Sequence, residues 1–183
     1  MCSGGVPAFD WCRGYGAYEG ILRESIHLLK YSGMRPLARP LGRRLAALLA
    51  DSGPVDLIVP VPLHQQRQRS RGFNQSELLA AELSKCTGVP VDCSVLRRVR
   101  VTETQTGLSH RERRLNLLDA FRVARPEGVS GRRVALLDDV VTTGATANEC
   151  ARVLRDHGAA RVYAVAFARA SFHPASSTGP FTD

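Results

Sequence analysis

The densest chemistry in this chain lies in one run, Val134-Ala-Leu-Leu-Asp138-Asp139-Val140-Val141-Thr142-Thr143-Gly144-Ala145-Thr146. Arg133 to Leu137 reads as a short buried strand that stops at two adjacent carboxylates, and a helix takes over after Gly144. Between them sits a turn rich in hydroxyls. Thr142, Thr143 and Thr146 can donate hydrogen bonds, and Gly144 lets backbone approach an anion closely. Backbone N–H groups at a helix start, with the helix dipole behind them, favour a phosphate. The carboxylates of Asp138 and Asp139 are acceptors suited to the vicinal hydroxyls of a ribose. Donors for a phosphate beside acceptors for a sugar describe a ribose 5-phosphate. A plain strand-to-helix turn would explain any two of these residue types, but not the whole ordered string.

A second basic segment runs from His64 to Phe73 and carries Arg67, Arg69 and Arg71 at alternate positions. It follows a strand, so these arginines are either anion contacts or a solvated basic face. Arg111, Arg113 and Arg114 form another cluster, which either reaches a bound anion or makes the exposed face of a short helix. The net charge is +8, and all of the basic residues but Lys30 and Lys85 are arginine. Arginine's planar fork grips phosphate oxygens in pairs, so the excess suits a polyphosphate or a nucleic-acid backbone. The histidines are scattered and read as structural or exposed. Five cysteines, at Cys2, Cys12, Cys86, Cys93 and Cys150, show no close pairing of the zinc-knuckle kind. Cys150 reads as a small core residue on the helix after Gly144, while Cys2 and Cys12 are unassigned.

These groups need elements to position them. Residues 17–30 place Tyr18, Ile21, Leu22, Ile26 and Leu29 at helical spacing, with Ser32-Gly33 as the stop. A second helix is expected from Pro36 to Ala50 on Leu37, Leu41, Leu45, Leu48 and Leu49. Val55 to Val61 reads as a buried strand, and Asn74 as the cap of a helix through Leu83. Residues 89–101 hold a strand, 102–110 a loop, and Ser109-His-Arg-Glu112 a capping box. The helix after Gly144 turns Ala147, Cys150, Ala151 and Leu154 inward and stops at Gly158, and Val162 to Phe167 is a last buried strand.

Alternating strands and helices imply an α/β fold, a mostly parallel central sheet flanked by helices. In such sheets ligands bind beyond the carboxyl ends of the strands, which points at Asp138 to Thr146 and His64 to Asn74. Residues 1–170 are expected to form one domain and 171–183, rich in Pro, Ser, Thr and Gly, a disordered tail. No apolar run reaches the roughly 18–20 residues of a membrane span. Gly4, Gly5, Pro7 and Asp10 break up any signal-peptide core, so the expected location is cytoplasmic.

The string from Val134 to Thr146 resembles the phosphoribosyl pyrophosphate (PRPP) motif of type I phosphoribosyltransferases. Four further strings resemble the ComF family of bacterial phosphoribosyltransferase-like proteins: Leu29-Lys30-Tyr31, Val59-Pro-Val-Pro62, Arg71-Gly-Phe-Asn-Gln75, and Thr104-Gln-Thr-Gly-Leu108 with Arg111 to Asn116. They follow that family's order across about Tyr18 to Ala168. The resemblance implies the type I phosphoribosyltransferase fold. It also implies that Asp138 and Asp139 hold the ribose hydroxyls, directly or through Mg2+, and act in catalysis. Thr142, Thr143, Gly144, Ala145 and Thr146 would cradle the 5-phosphate, with Val140 and Val141 also among the substrate-binding residues. Arg67, Arg69 and Arg71 would stand near the pyrophosphate, with Lys30 as a further contact. Arg111 would reach the reacting centre from a closing loop. Many members of the family start with a zinc ribbon of paired Cys-x-x-Cys motifs; only Cys2 and Cys12 stand there in this chain, so no structural zinc is expected.

Two functions of different class follow from the resemblance. One is an enzyme that transfers a phosphoribosyl group to an acceptor and releases pyrophosphate, with Mg2+ as cofactor. The other is a DNA-uptake factor that binds single-stranded DNA on the same scaffold, supported by the +8 charge and the arginines at 97–100 and 111–114. An aromatic content of 6% leaves few stacking platforms for such a strand. A regulator that senses PRPP is a third reading.

Overall fold

The computed structural model describes residues 6–50, 53–100 and 110–170. In chain order its elements are β1 (Trp11–Ala17), α1 (Gly20–Tyr31), α2 (Ala38–Ala50), β2 (Leu57–Pro60), α3 (Gln65–Arg71), α4 (Gln75–Thr87) and β3 (Leu96–Arg98). There follow α5 (His110–Leu117), β4 (Phe121–Val123), β5 (Arg133–Val141), α6 (Ala145–Asp156) and β6 (Arg161–Arg169). Four strands make the main sheet in the order β1-β6-β5-β2, every neighbouring pair parallel. The short strands β3 and β4 pair antiparallel beside it.

Alternation along the strands explains why both faces are covered. On β5, Val134 and Leu136 face one core with Val59 and Val162, while Ala135 and Leu137 face the other with Ile58 and Val165. The first core is closed by α6, through Ala147, Cys150, Ala151 and Leu154, and by Phe121 of β4. The second is closed by Ile26 and Leu29 of α1, Leu41, Leu45 and Leu49 of α2, and Leu79 and Leu83 of α4. The chain leaving β5 therefore crosses to one face, and the helix α4 that follows β2 packs on the other. Neighbouring strands whose connections part in this way leave a crevice at their carboxyl ends, where open α/β sheets bind ligands.

Polar clamps fix the register that places this crevice. Asp56 accepts from the backbone N of Arg133 at 2.9 Å and from its Nε and Nη2 at 2.8 and 2.6 Å, locking the start of β2 to the start of β5. Asp10 accepts from Val162 N at 2.8 Å and Arg161 Nη1 at 2.6 Å, and pairs with Arg155 as well. On the sheet itself, Trp11 of β1 stacks on Tyr163 of β6 with ring centroids 5.0 Å apart.

Helices α2 and α4 meet at Gly42, where a Cβ would stand 2.5 Å from Cβ of Glu82 and 3.2 Å from its carbonyl carbon. Gly42→Ala gains helix propensity of about 1 kcal/mol. Forcing the two backbones apart costs about 1–3 kcal/mol. The expected net is a loss of about 1 kcal/mol, a fall in Tm of roughly 2–4 °C for a chain of this size. A variant that melts at or above wild type would show that the helices separate freely.

The expected helices form, the first starting at Gly20 because Ala17 belongs to β1, the strand expected over Val55 to Val61 is the shorter β2, and Cys150 is fully buried. Several local readings are corrected. The basic segment from His64 to Phe73, for which no helix was expected, is mostly helix α3, and Gly72, at φ 76°, ends it. β5 does not stop at Asp138-Asp139 but runs through both to Val141. α2 starts at Ala38 after a short 3-10 turn over Arg35–Leu37, and α4 continues past Leu83 to Thr87. β1 holds Cys12, left unassigned from sequence, in register with Ala164. The loop at 102–109, the start of the expected capping box, Cys2 and the tail from 171 lie outside the described residues.

Candidate functional site

The crevice opens at the carboxyl end of β5, between the start of α6 and the residues Tyr18 and Lys30. A cleft of about 220 Å³ there is lined by Tyr18, Lys30, Asp138 and the run Val140 to Ala147. Gly144 is the cap of α6 and sits at φ 78°, left-handed backbone that a residue with a Cβ adopts only under strain. The first turn of α6 carries no acidic side chain, so its positive end faces the cleft uncompensated by a neighbouring carboxylate of its own. Thr143 Oγ1 accepts from Ala145 N at 3.3 Å, holding the turn in shape.

The two carboxylates have different environments because successive strand residues point apart. Asp139 is 3% exposed and forms an ion pair through Oδ2 with Lys30 Nζ, while its Oδ1 accepts from Gln75 Nε2 at 3.3 Å. Asp138 is half-buried with an edge on the cleft. Its Oδ1 accepts from Asp139 N at 2.8 Å and Ser76 Oγ at 3.4 Å. Burial first, and then the negative charge of Asp139 beside it, push the Asp138 carboxyl up to about 8. Burial works against the charge on Lys30, but Asp139 outweighs it and holds the ammonium above its ordinary range. The site therefore keeps one ion pair and, next to it, a carboxyl whose charged form the surroundings disfavour.

Three buried polar residues opening α4 support this pair. Asn74 caps the helix by accepting from Ser76 N at 3.0 Å and donates to Val61 O at 3.1 Å, tying the helix start to the end of β2. Gln75 and Ser76 follow it and reach Asp139 and Asp138. Asn74 was legible as a cap. Gln75, Ser76 and Tyr18 were not read as site residues; the signal for the first two was a run of polar side chains exactly where the buried face of α4 begins.

Of the residues singled out from sequence, Lys30, Asp138, Val140, Val141, Thr142, Thr143, Gly144, Ala145 and Thr146 line one cleft, and Asp139 lies directly behind it. Arg71 is linked to them through Gln75, donating from Nη1 to Gln75 Oε1 at 2.6 Å. Arg67 and Arg69 lie exposed on α3 and do not line the cleft. Arg111 belongs to α5, and its side chain is outside what the structure describes. Arg98 of β3, one of the arginines at 97–100, is half-buried: burial, then the positive charge of Arg67, pulls its guanidinium below the ordinary range. Among the described residues no cluster of three or more His, Cys, Asp or Glu side chains could hold a metal, and no helix is long and apolar enough to cross a membrane.

Residues 69–177 match the family described as phosphoribosyl transferase domain. Competence protein F of Haemophilus influenzae is 37% identical over 171 residues, which cover 90% of this chain and 75% of that protein. The chain belongs to the ComF family of phosphoribosyltransferase-like proteins. DNA utilization protein YhgH of Escherichia coli K12 is 42% identical over 151 residues, covering 79% of this chain and 66% of that one. Competence protein ComFC of Bacillus subtilis is 26% identical over 145 residues, 78% of this chain and 57% of the relative. The ComF chain described here thus spans between 57% and 75% of these three relatives. Its parallel sheet between two helical layers is the type I phosphoribosyltransferase fold. The ComF strings Leu29-Lys30-Tyr31, Val59-Pro-Val-Pro62 and Arg71 to Gln75 gather with Val134 to Thr146 at the carboxyl edge of that sheet, whereas Thr104 to Leu108 lies outside the described residues.

Proposed function

We propose that this protein binds PRPP with Mg2+ and transfers its phosphoribosyl group to an acceptor, releasing pyrophosphate. The observation that carries this reading is the cleft itself, which Asp138, Lys30 and the N-terminus of α6 at Gly144 line together. The 5-phosphate would sit on the turn Thr142 to Thr146, where hydroxyls, backbone N–H groups and the helix dipole favour an anion. The ribose hydroxyls would meet Asp138. Asp139 would act one step back, fixing Lys30 toward the anionic part of the ligand.

The donor set fits Mg2+, which is commonly held by one or two carboxylates together with substrate phosphates rather than by an all-protein cage. Asp138, with an edge on the cleft, is the residue that would hold the ion; Asp139 is committed to Lys30 and Gln75. When bound, Mg2+ neutralises charge that builds on the departing pyrophosphate. The carboxylates stabilise the oxocarbenium character at C1 electrostatically, and an attacking nucleophile inverts that carbon. Positioning and charge supply most of the catalysis, as in other reactions with little covalent participation by the protein.

The test is calorimetric titration of PRPP with Mg2+ on wild type and on Thr143→Ala. Micromolar binding is expected for wild type, weakened by about tenfold or more in the variant, which corresponds to about 1.4 kcal/mol. No heat at millimolar ligand would overturn the transferase reading.

A second reading rests on the names of the relatives, two competence proteins and a DNA utilization protein, and on the exposed arginines Arg67, Arg69, Arg97 and Arg100. In it the protein serves DNA uptake by contacting single-stranded DNA. Binding through the phosphate backbone would weaken steeply with salt, whereas capture of a sugar phosphate in the cleft would depend on salt far less.

A further inference from the structure

Resting on that reading of the cleft, we propose that Gln75 is a positioning residue that couples Arg71 to the acidic pair, so that contacts made at α3 and contacts made in the cleft act as one unit. The geometry is a chain of four side chains from four elements, α3, α4, β5 and α1. Arg71 Nη1 donates to Gln75 Oε1 at 2.6 Å, Gln75 Nε2 donates to Asp139 Oδ1 at 3.3 Å, and Asp139 holds Lys30 at the cleft. The outer end is fixed as well, because the Arg71 guanidinium stands 5.2 Å over the ring of Tyr31, the residue after Lys30 on α1.

Chemistry dictates an amide at this position. Arginine offers donors only, and an ionised aspartate accepts only. The residue between them must accept at one end and donate at the other, at the reach of a four-bond side chain. Glutamate would satisfy Arg71 but set a second carboxylate against Asp139. Leucine would fill the space and satisfy neither. Gln75 is 4% exposed, so water has little access to take over either bond. A buried amide satisfied on both sides is rigid, and a change at one end is felt at the other. An anion drawn to Arg71 would thereby shift Gln75, Asp139 and Lys30 together.

Two measurements test the coupling, one without ligand. The side-chain amide resonances of Gln75, assigned by their loss in Gln75→Leu, are expected to move in Arg71→Ala although Asp139 is untouched; identical signals in wild type and Arg71→Ala would overturn the proposal. The second is a double-mutant cycle on the affinity for PRPP with Mg2+. Gln75→Leu and Arg71→Ala are each expected to weaken binding about tenfold, and the double variant by little more than either. Gln75→Glu is expected to weaken binding at least as much as Gln75→Leu, despite matching the native length. A double variant weaker by about a hundredfold, the product of independent effects, would overturn the coupling. If wild type itself fails to bind, the transferase reading falls, and the amide resonances alone decide the relay.

Discussion

Asp139→Asn and Asp138→Asn, one residue apart, are expected to change stability in opposite directions. Asp139 is the buried partner of Lys30, with side chains 5% and 18% exposed. Removing one member of a buried ion pair strands the other, at a cost of about 3–5 kcal/mol for a fully enclosed pair. Lys30 keeps an edge on the cleft and Asp138 nearby, so the expected cost falls below that range, about 2–3 kcal/mol at pH 7. The urea midpoint should fall with the slope unchanged. Asp138→Asn leaves the Lys30–Asp139 pair whole and removes a carboxyl that the fold disfavours in its charged form. The sign follows from linkage. With the carboxyl raised from 3.8 to about 8, the native state keeps a proton that the unfolded chain has already released. Stability from this group is complete below about pH 4 and is lost as pH rises toward 8, because fewer protons are bound in the unfolded state across that window. Wild type and Asp138→Asn should therefore have similar stability near pH 4, and the variant should be ahead by about 1–2 kcal/mol at pH 8, a figure reduced for the carboxyl's access to the cleft. A variant less stable than wild type at pH 8 would show that Asp138 makes a stabilising contact in its charged form.

The same Asp138→Asn variant is expected to lose ligand. If its carboxylate meets the ribose hydroxyls and the Mg2+ shell, the amide supplies neither the charge nor the acceptors. Affinity for PRPP with Mg2+ should fall by about a hundredfold, close to 2.7 kcal/mol. Any release of pyrophosphate should fall by about 10²–10³. Such a loss in a protein that melts no lower than wild type cannot be ascribed to unfolding. It would make Asp138 an instance of the trade between stability and function, a charged group kept at a cost because the site needs it. Unchanged affinity would remove Asp138 from the site and leave the turn at Gly144 without its proposed sugar partner.

How the candidate site was legible differs residue by residue. The run from Val134 to Thr146 could be read because strand, acidic pair, hydroxyl turn and helix start are contiguous, and contiguous residues carry their own geometry. Lys30 could be suggested only through resemblance; nothing local to α1 says that its ammonium meets a carboxylate on β5. The length of β5 was misread because Asp138 and Asp139 look like a strand terminator. They remain in the strand because partners from α1 and α4 meet them there. Segment α3 has no apolar face, so helical periodicity had nothing to mark. β1 was hidden for the related reason that Gly14, Gly16 and Arg13 blur the alternation expected of a strand at a sheet edge.

By itself, then, the order of residues determined the α/β class, most of the helices, and a turn suited to a sugar phosphate. These depend on periodicity, capping and turn chemistry, which act over a few residues. Only the tertiary structure decided which carboxyl faces the cleft, which is bound to Lys30, and that Gln75 lies between Arg71 and Asp139, its bond to Asp139 spanning 64 residues of chain. Those are contacts between elements brought together by burying two apolar faces of one sheet. The hydrophobic effect that drives this is non-directional, so it leaves no local signature of the polar pairs that it encloses.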